Sequence, residues 1–334
     1  MSTKKPLCAG VNIGYGHLKL ATPGGVFVTA SAVAPSNPLY DGVGRSRDTH
    51  RTVLGGTEYE VGAEAILLTR TPETARLPVP QWLGTQRYQV LAKLVMDRLA
   101  MESDGWEVTL GLPVSDYQDE AYRKRVKAFW TGIHDTASGP IEIREARVVP
   151  EPIGAVFAHI EHFSDAEIAA ETSASHLILD VGFFTSDWLV LNRMAPDLPQ
   201  SRGIDIGMHA ILARMAEQIA ADHQKSGMSD LITLETLLLE QIAAGRPGKI
   251  DLPDYARRAT AQIAPGLIDD IQASTYRWLR SDAEKKILIA GGAAGFLLPH
   301  MKTAYPGIPV SIVENPQTAN ATGYLLQCEL RHGR

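Results

Sequence analysis

The order of apolar and polar positions along the chain predicts strands and helices in alternation. Period-two patterns between Pro, Gly and Asn turns dominate the first third, whereas helical spacing of apolar residues is commoner in the second half. The predicted strands lie within residues 7–20, 25–34, 59–61, 106–112, 144–149, 176–192, 287–290 and 310–313. The predicted helices cover residues 88–101, 119–132, 153–163, 207–223, 231–244, 255–280 and 318–331. A second domain is expected to begin just after Pro150-Glu151-Pro152.

Two segments, Gly10–Lys19 and Leu179–Asp187, share a strand, a tight glycine turn and a second strand. Glycine lets the backbone approach an anion closely and permits a positive φ, so successive N–H groups can point at one phosphate oxygen. One such turn is weak support for a phosphate site. Two turns about one domain apart suggest a duplicated fold that closes on a nucleotide.

Composition narrows the choice of function. A chain of 334 residues with 45% hydrophobic residues favours two globular domains. The net charge of −6 provides no basic surface for direct contact with nucleic acid or anionic lipid, so any role on DNA requires a partner that reads it. Cys8 and Cys328 form no CxxC or Cys/His motif, so we expect neither a disulfide framework nor a zinc site. We expect the protein to reside in a reducing cytoplasm. We expect no signal peptide and no membrane span.

Each candidate site residue also has a plainer explanation. Gly14, Gly16 and Lys19 would hold phosphate oxygens, or they form an ordinary hairpin with a solvated lysine. Asp180, at the end of an apolar strand, would hold Mg²⁺ or simply start a turn. Glu151, fixed between two prolines, would orient an attacking water or act as a helix N-terminal acid.

The segment Gly291-Gly292-Ala293-Ala294 follows a predicted strand. Bare glycine backbone there would let an adenine ring pack closely, or would serve close packing of a helix on a strand.

These residues, taken in order, resemble the actin-like ATPases. The matching segments are residues 12–19, 151–155, 180–187, 289–294 and 320–324. Within that group the chain looks most like the ParM/StbA plasmid-segregation proteins. Residues 111–115 and 180–188 are similar to the branch called PRTRC system protein D.

The resemblance implies an α/β fold with two RNase H-like domains flanking a nucleotide cleft, residues 1–152 plus 318–334 and residues 153–317. It implies a cytoplasmic ATPase that binds ATP (or GTP) and Mg²⁺, polymerises with itself, and segregates plasmid DNA through an adaptor. Glu151 and Asp180 would be the catalytic residues, with Asp180 holding the metal. The implied nucleotide-binding residues are Asn12, Gly14, Tyr15, Gly16, Lys19, Gly182, Phe183, Phe184, Thr185, Gly203, Gly207, Gly291, Gly292 and Ala293.

Two residues depart from the pattern of that group. Asn12 stands where an Asp is usual, so it is a weaker metal ligand and hydrolysis is expected to suffer. Phe183 and Phe184 replace the usual small residues of the second turn. Three functions therefore compete: a polymerising ATPase, a small-molecule kinase of the same fold, and a nucleotide-binding scaffold with impaired hydrolysis.

Overall fold

The chain divides into two units, Met1–Phe163 with Gln317–Arg334, and Ser164–Pro316. The computed structural model describes residues 6–37, 47–68, 82–223 and 231–333. Residues 1–5, on which the signal-peptide expectation rests, lie outside that range. The expected domain boundary after residue 152 stays a prediction. The first unit continues as far as Phe163, and the second begins at Ser164.

Unit 1 is built on a six-stranded sheet and a smaller three-stranded sheet. Its strands, numbered in chain order, are β1 Leu7–Ile13, β2 His17–Thr22, β3 Gly25–Ala30, β4 Val33–Pro35, β5 His50–Leu54, β6 Thr57–Val61, β7 Gly105–Leu112, β8 Gly132–His134 and β9 Ile141–Pro150. Its α-helices are α1 Gln86–Ala100, α2 Val114–Gln118, α3 Glu120–Trp130, α4 Ile153–His159 and α11 Ala319–Arg331. Two 3₁₀-helices span Ala63–Leu68 and Trp82–Gly84.

The large sheet of unit 1 has the order β3-β2-β1-β7-β9-β8. β1 is antiparallel to β2 and parallel to β7, and β7 is parallel to β9. The small sheet has the order β4-β6-β5. Trp106 and Trp130 are fully buried in the core of this unit, together with apolar residues of α1.

Helix α11 approaches β1 closely because Gly10 has no side chain. A Cβ at Gly10 would lie 2.0 Å from the carbonyl oxygen of Ala321. A Cβ at Gly323 would lie 1.8 Å from the carbonyl oxygen of Gly154, so α11 and α4 are in equally close contact. The two helices and β1 can therefore share backbone contacts that any larger residue would block.

Unit 2 contains one sheet and most of the longer helices. Its strands are β10 Ser175–Val181, β11 Ser186–Asn192, β12 Ala195–Pro196, β13 Arg202–Ile204, β14 Lys285–Ala290 and β15 Val310–Ile312. Its helices are α5 Asp165–Ser173, α6 Met208–His223, α7 Leu231–Ala244, α8 Leu252–Ser274, α9 Tyr276–Leu279 and α10 Ala294–Ala304, with a 3₁₀-helix at Leu198–Gln200. The sheet order is β12-β11-β10-β14-β15, and β13 pairs with β11.

The two large sheets repeat one arrangement. In unit 1 a hairpin (β1, β2) is joined by a parallel strand, β7, on the far side of β1. In unit 2 the hairpin β10–β11 is joined by the parallel strand β14 on the far side of β10. All seven residues of β10 are buried, as expected of a central strand in a sheet covered on both faces. The duplication suggested by the sequence is thus present in the strand order.

Several sequence predictions about elements need correction, and helices α5 and α10 were not predicted. Residues 255–280 form two helices, α8 and α9, because α8 ends at Ser274 and α9 begins at Tyr276. Strand β5 was not predicted, although it pairs with the predicted strand β6. No helix in the described part of the chain has both the length and the hydropathy needed to cross a lipid bilayer.

The expectation of no disulfide is wrong. Cys8 in β1 and Cys328 in α11 form a disulfide, with Cα atoms 5.8 Å apart. The cysteines are separated by 320 positions in the sequence, and only the packing of α11 on β1 brings them together. Their spacing in the sequence could not have shown this pair.

Candidate functional site

The turn between β1 and β2 is closed by a hydrogen bond from the Gly14 N–H to the His17 carbonyl, 3.1 Å long. A Cβ at Gly14 would lie 3.2 Å from that same carbonyl oxygen. Gly14 does not have a positive φ. Glycine is favoured here by this close approach, and the left-handed backbone that the sequence pattern allows is not used.

The carbonyl groups of this turn are held by residues outside the hairpin. The Ser31 hydroxyl donates to the Gly14 carbonyl at 2.6 Å, and the Ser31 N–H donates to the Gly16 carbonyl at 2.9 Å. The Trp82 indole donates to a backbone carbonyl of β1, and its ring lies 4.8 Å from the Tyr15 ring, centroid to centroid. Ser31 and Trp82 were not predicted as site residues, yet they fix the shape of the first turn.

Asn12, Lys19 and Glu151 form one hydrogen-bonded group. Asn12 and Lys19 are cross-strand partners in the hairpin, and Lys19 Nζ donates to Asn12 Oδ1 at 3.3 Å. Asn12 Nδ2 donates to Glu151 Oε1 at 2.5 Å, and Asn12 is only 1% exposed. Residues predicted from two separate motifs are thus in direct contact, with the amide of Asn12 between the ammonium and carboxylate groups.

The backbone of Glu151 is fixed from both sides. Its N–H donates to the Leu112 carbonyl at 2.7 Å, and its own carbonyl accepts from the Tyr324 hydroxyl at 2.6 Å. The neighbouring α4 is held by Asn320, whose Oδ1 accepts from the Ala155 N–H at 3.1 Å. Tyr324 and Asn320 both belong to α11. Their segment, residues 320–324, is one of the matching segments of the sequence, but their bonds to the Glu151 segment depend on the packing of α11.

Asp116 in α2 is a further acidic group that the sequence analysis did not single out. Burial raises the pKa of Asp116 above its ordinary value, and the negative charges of Asp119 and Glu151 raise it further. A second carboxyl group therefore lies close enough to Glu151 to sense its charge.

The turn between β10 and β11 repeats the first turn. The Gly182 N–H donates to the Thr185 carbonyl at 2.9 Å, and a Cβ at Gly182 would lie 3.2 Å from that oxygen. Asp180 and Asp187 are cross-strand partners here, in the positions that Asn12 and Lys19 occupy in the first hairpin. The two hairpins therefore correspond residue by residue.

Asp180 and Asp187 place two buried acidic side chains side by side in the second hairpin. They are 6% and 2% exposed. Cross-strand partners project from the same face of a sheet, with their Cβ atoms about 5 Å apart. Two carboxylates in that relation fit a divalent cation with a preference for oxygen ligands.

Two glycines that the sequence placed near a nucleoside pack against this hairpin. A Cβ at Gly203 would lie 2.5 Å from Asp187 Oδ1, and a Cβ at Gly207 would lie 2.7 Å from the Gly182 carbonyl oxygen. They leave room for the carboxylate and for the turn itself. Their predicted contact with a nucleoside stays a prediction.

Gly291 and its two neighbours differ sharply in their surroundings. Gly291 has φ +88°, and a Cβ there would lie 2.2 Å from the Val181 carbonyl oxygen and 2.7 Å from Asp180 Oδ1. Gly292 is exposed and has open space where a Cβ would lie. Ala293 is buried and is the N-cap residue of α10. Close packing on β10 thus explains Gly291 but does not explain Gly292.

The two phenylalanines of the second turn pack with His209. The Phe184 and His209 rings are 4.8 Å apart, as are the rings of Phe183 and Phe184. The His209 N–H donates to the Phe183 carbonyl at 2.7 Å, which joins the turn to the first residues of α6. Burial lowers the pKa of His209, which favours its neutral ring. Thr185, at the end of the turn, is half-buried.

Two family models match the chain in succession. The model described as "Actin like proteins N terminal domain" matches residues 10–154, and the model described as "Archaeal actin homologue MreB-like, C-terminal" matches residues 178–303. No curated protein matches the sequence significantly.

Solved structures of actin homologues resemble the whole chain. The ParM filament protein of Clostridium botulinum is 20% identical, with a TM-score of 0.71, and the match covers 98% of this chain and 100% of that one. The archaeal actin homolog Ta0583, in complex with ADP, is 19% identical, with a TM-score of 0.68 and coverage of 97% and 99%. The actin-like protein Alp7A is 14% identical, with a TM-score of 0.71 and coverage of 99% and 100%.

The chain therefore has the actin-like fold. Its N-terminal and C-terminal parts each match a domain of actin-like proteins, and its structural relatives include the ParM proteins.

Proposed function

We propose that this protein is a filament-forming ATPase that segregates plasmid DNA through a DNA-binding adaptor. The support for self-assembly is the likeness to proteins solved as filaments, the ParM of C. botulinum and Alp12. The support for nucleotide binding is the likeness to a homolog solved with ADP. The acidic net charge of −6 favours an adaptor over direct contact with DNA.

One observation carries the ATPase proposal. The Glu151 carboxylate accepts a hydrogen bond from the Asn12 side chain, which itself accepts one from Lys19 beside a glycine turn. A carboxylate fixed within reach of a phosphate-binding turn can orient water for attack on the terminal phosphate. Lys19 and the N–H groups around Gly14 and Gly16 would stabilise the charge that develops on the phosphate oxygens.

The second hairpin carries groups suited to bind a metal ion and phosphate. The buried carboxylates of Asp180 and Asp187 supply the oxygen ligands that Mg²⁺ prefers, and Asp180 would hold the ion or its water. When bound there, Mg²⁺ would neutralise part of the phosphate charge. Gly182 and Thr185 would bind phosphate oxygens, with Phe183 and Phe184 forming an aromatic wall beside them.

A scaffold with slow hydrolysis is the second candidate, and Asn12 is the observation that favours it. Both polar ends of the Asn12 amide are engaged by Lys19 and Glu151. An amide provides no negative charge for a metal, so this position contributes less to metal binding than an aspartate would.

Light scattering and pelleting with ATP, GTP, ADP and no nucleotide test the proposal directly. A filament-forming ATPase assembles with triphosphate and releases phosphate without an added acceptor, whereas a kinase needs an acceptor. Glu151→Ala should keep nucleotide binding and assembly but lower phosphate release by at least about 100-fold. Glu161→Ala, which removes an exposed acid of the same unit, is the matched control.

Unchanged turnover in Glu151→Ala would remove this residue from catalysis. Assembly without phosphate release in the wild-type protein would identify the scaffold. Failure to assemble with any nucleotide would contradict the filament proposal itself.

A further inference from the structure

Away from the two glycine turns, the described residues bring together one group of soft metal-binding side chains. The Sγ atoms of Cys8 and Cys328 and a ring nitrogen of His332 all lie within 4.8 Å of one another. Both cysteines are buried, and the His332 side chain is 24% exposed. The group joins β1 to the last turn of α11 and to the residue that follows it.

The donor set is one that Zn²⁺ prefers. Two thiolates and an imidazole are the soft and borderline ligands common in zinc sites, where Zn–S is about 2.3 Å and Zn–N about 2.0–2.1 Å. Ligand atoms around a tetrahedral ion are then about 3.5–4 Å apart, since they sit at its corners. That spacing is compatible with the size of the group once the sulfur atoms are no longer bonded to each other.

The surroundings of His332 also match a metal ligand. One nitrogen of its ring, Nε2, lies 2.9 Å from Glu107 Oε2. A histidine that binds metal through one ring nitrogen usually pairs the other with a carboxylate or carbonyl, which fixes its orientation and raises its basicity. With Nδ1 as the metal-binding nitrogen, Glu107 in β7 would take that second role through Nε2. The carbonyl oxygen of the same residue also lies 3.9 Å from Cys328 Sγ.

We propose that the reduced form of this group, Cys8, Cys328 and His332 with Glu107 behind the histidine, is a binding site for Zn²⁺. The disulfide and the metal site exclude each other because both use the same two sulfur atoms. Two molecules of a thiol reductant convert the disulfide to two cysteine thiols and are themselves oxidised to one disulfide. Binding of Zn²⁺ then releases the two thiol protons to solvent.

The position of Cys328 makes this exchange mechanically simple. It lies in the last turn of α11, and helix ends open locally at low cost in free energy. The sulfur atoms can therefore separate by movement of the last turn alone. The fourth position of the ion is left to water, which can enter beside the partly exposed His332.

The test uses the full-length protein, reduced and freed of metal, then titrated with Zn²⁺ against a colorimetric chelator. Reduced protein should bind one Zn²⁺ per chain, and Co²⁺ in its place should give the intense visible bands of tetrahedral thiolate coordination. The same protein oxidised with diamide has an identical sequence but no free thiolate, and it should bind no Zn²⁺ at this site.

Variants assign the ligands. His332→Asn should weaken Zn²⁺ binding because it removes a ligand. Glu107→Gln, which removes the carboxylate behind the histidine, should weaken Zn²⁺ binding by about 10- to 100-fold. His162→Asn, at an exposed histidine of the same unit, should leave it unchanged. Circular dichroism confirms that each variant is folded.

Several outcomes overturn the proposal. One is binding of less than a tenth of an equivalent of Zn²⁺ by the reduced protein, and another is equal Zn²⁺ binding after oxidation. The others are an unchanged affinity for Zn²⁺ in His332→Asn, and cysteine thiols of the reduced protein that react only after unfolding.

Discussion

Asn12 Nδ2 donates a hydrogen bond of 2.5 Å to Glu151 Oε1, so the buried amide of β1 acts as a partner of the candidate catalytic carboxylate. This relation changes the meaning of Asn12. The sequence suggested a weakened metal ligand, whereas the structure places its donor group on Glu151 and its acceptor on Lys19. The two interpretations give opposite expectations for one substitution.

Asn12→Asp should lower phosphate release by about 10- to 100-fold while nucleotide affinity changes little. A carboxylate at this position would face the Glu151 carboxylate, and like charges this close disfavour the ionised pair. Single-turnover phosphate release together with nucleotide titration separates the two effects. Faster release or tighter binding of Mg-ATP in this variant would restore the metal-ligand interpretation.

Gly291→Ala should lower the free energy of unfolding of unit 2 by about 2–4 kcal/mol. A Cβ there would lie 2.2 Å from the Val181 carbonyl oxygen, and φ +88° is unfavourable for alanine. Gly292→Ala is the neighbouring control, with open space at its Cβ and an expected change within about 0.5 kcal/mol. Urea unfolding measures both. Equal effects of the two substitutions would contradict the close packing of Gly291 on β10.

Acid should destabilise unit 1 through Glu60 in β6. The Arg47 guanidinium, donating to both carboxylate oxygens at 2.7 and 2.9 Å, lowers the pKa of Glu60 to about 2. Because the folded-state pKa lies below the ordinary value of 4.5, the stabilisation is complete above pH 4.5 and is lost as the pH falls toward 2. The loss should approach about 3 kcal/mol.

Urea unfolding at pH 7, 4.5 and 3 measures this effect. Glu60→Gln should be less stable at pH 7 and should show a flatter dependence on pH in this range. If the free energy of unfolding falls as steeply with pH in Glu60→Gln as in the wild-type protein, a group other than Glu60 causes the acid sensitivity.

Reduction of the Cys8–Cys328 bond should lower the free energy of unfolding by about 5 kcal/mol or less. The closed loop spans 320 positions, and a crosslink across so long a loop restricts the unfolded chain strongly. Differential scanning calorimetry in metal-free buffer, with and without reductant, measures the change. The double variant Cys8→Ala/Cys328→Ala should show no response to reductant, and an equal response in that variant would exclude the disulfide as its cause.

The fold was largely predictable from the sequence because the two hairpins carry local signals. Apolar strands, turn glycines and the order of the motifs lie within short segments, and the actin-like fold inferred from them is confirmed. Strand β5 was missed because it is short and half-exposed, so that it lacks a strong pattern of its own.

The candidate site was predictable only in part. Gly14, Asp180 and Glu151 were proposed from the sequence because their neighbours are distinctive, and their roles stay predictions. The contacts of Ser31 and Tyr324 could not, since they depend on packing between segments far apart in the chain. The cysteine pair shows the same limit, because no local spacing describes two residues joined by the approach of α11 to β1.

Unit 1 is discontinuous in the chain, and this has a consequence for biosynthesis. Its strands are translated first, but α11, which holds the Glu151 carbonyl through Tyr324, is translated after all of unit 2. A nascent chain can thus complete the later unit while the earlier one still lacks its final helix. Ribosome-bound intermediates should expose Gly10 and Gly154 until the last helix leaves the exit tunnel.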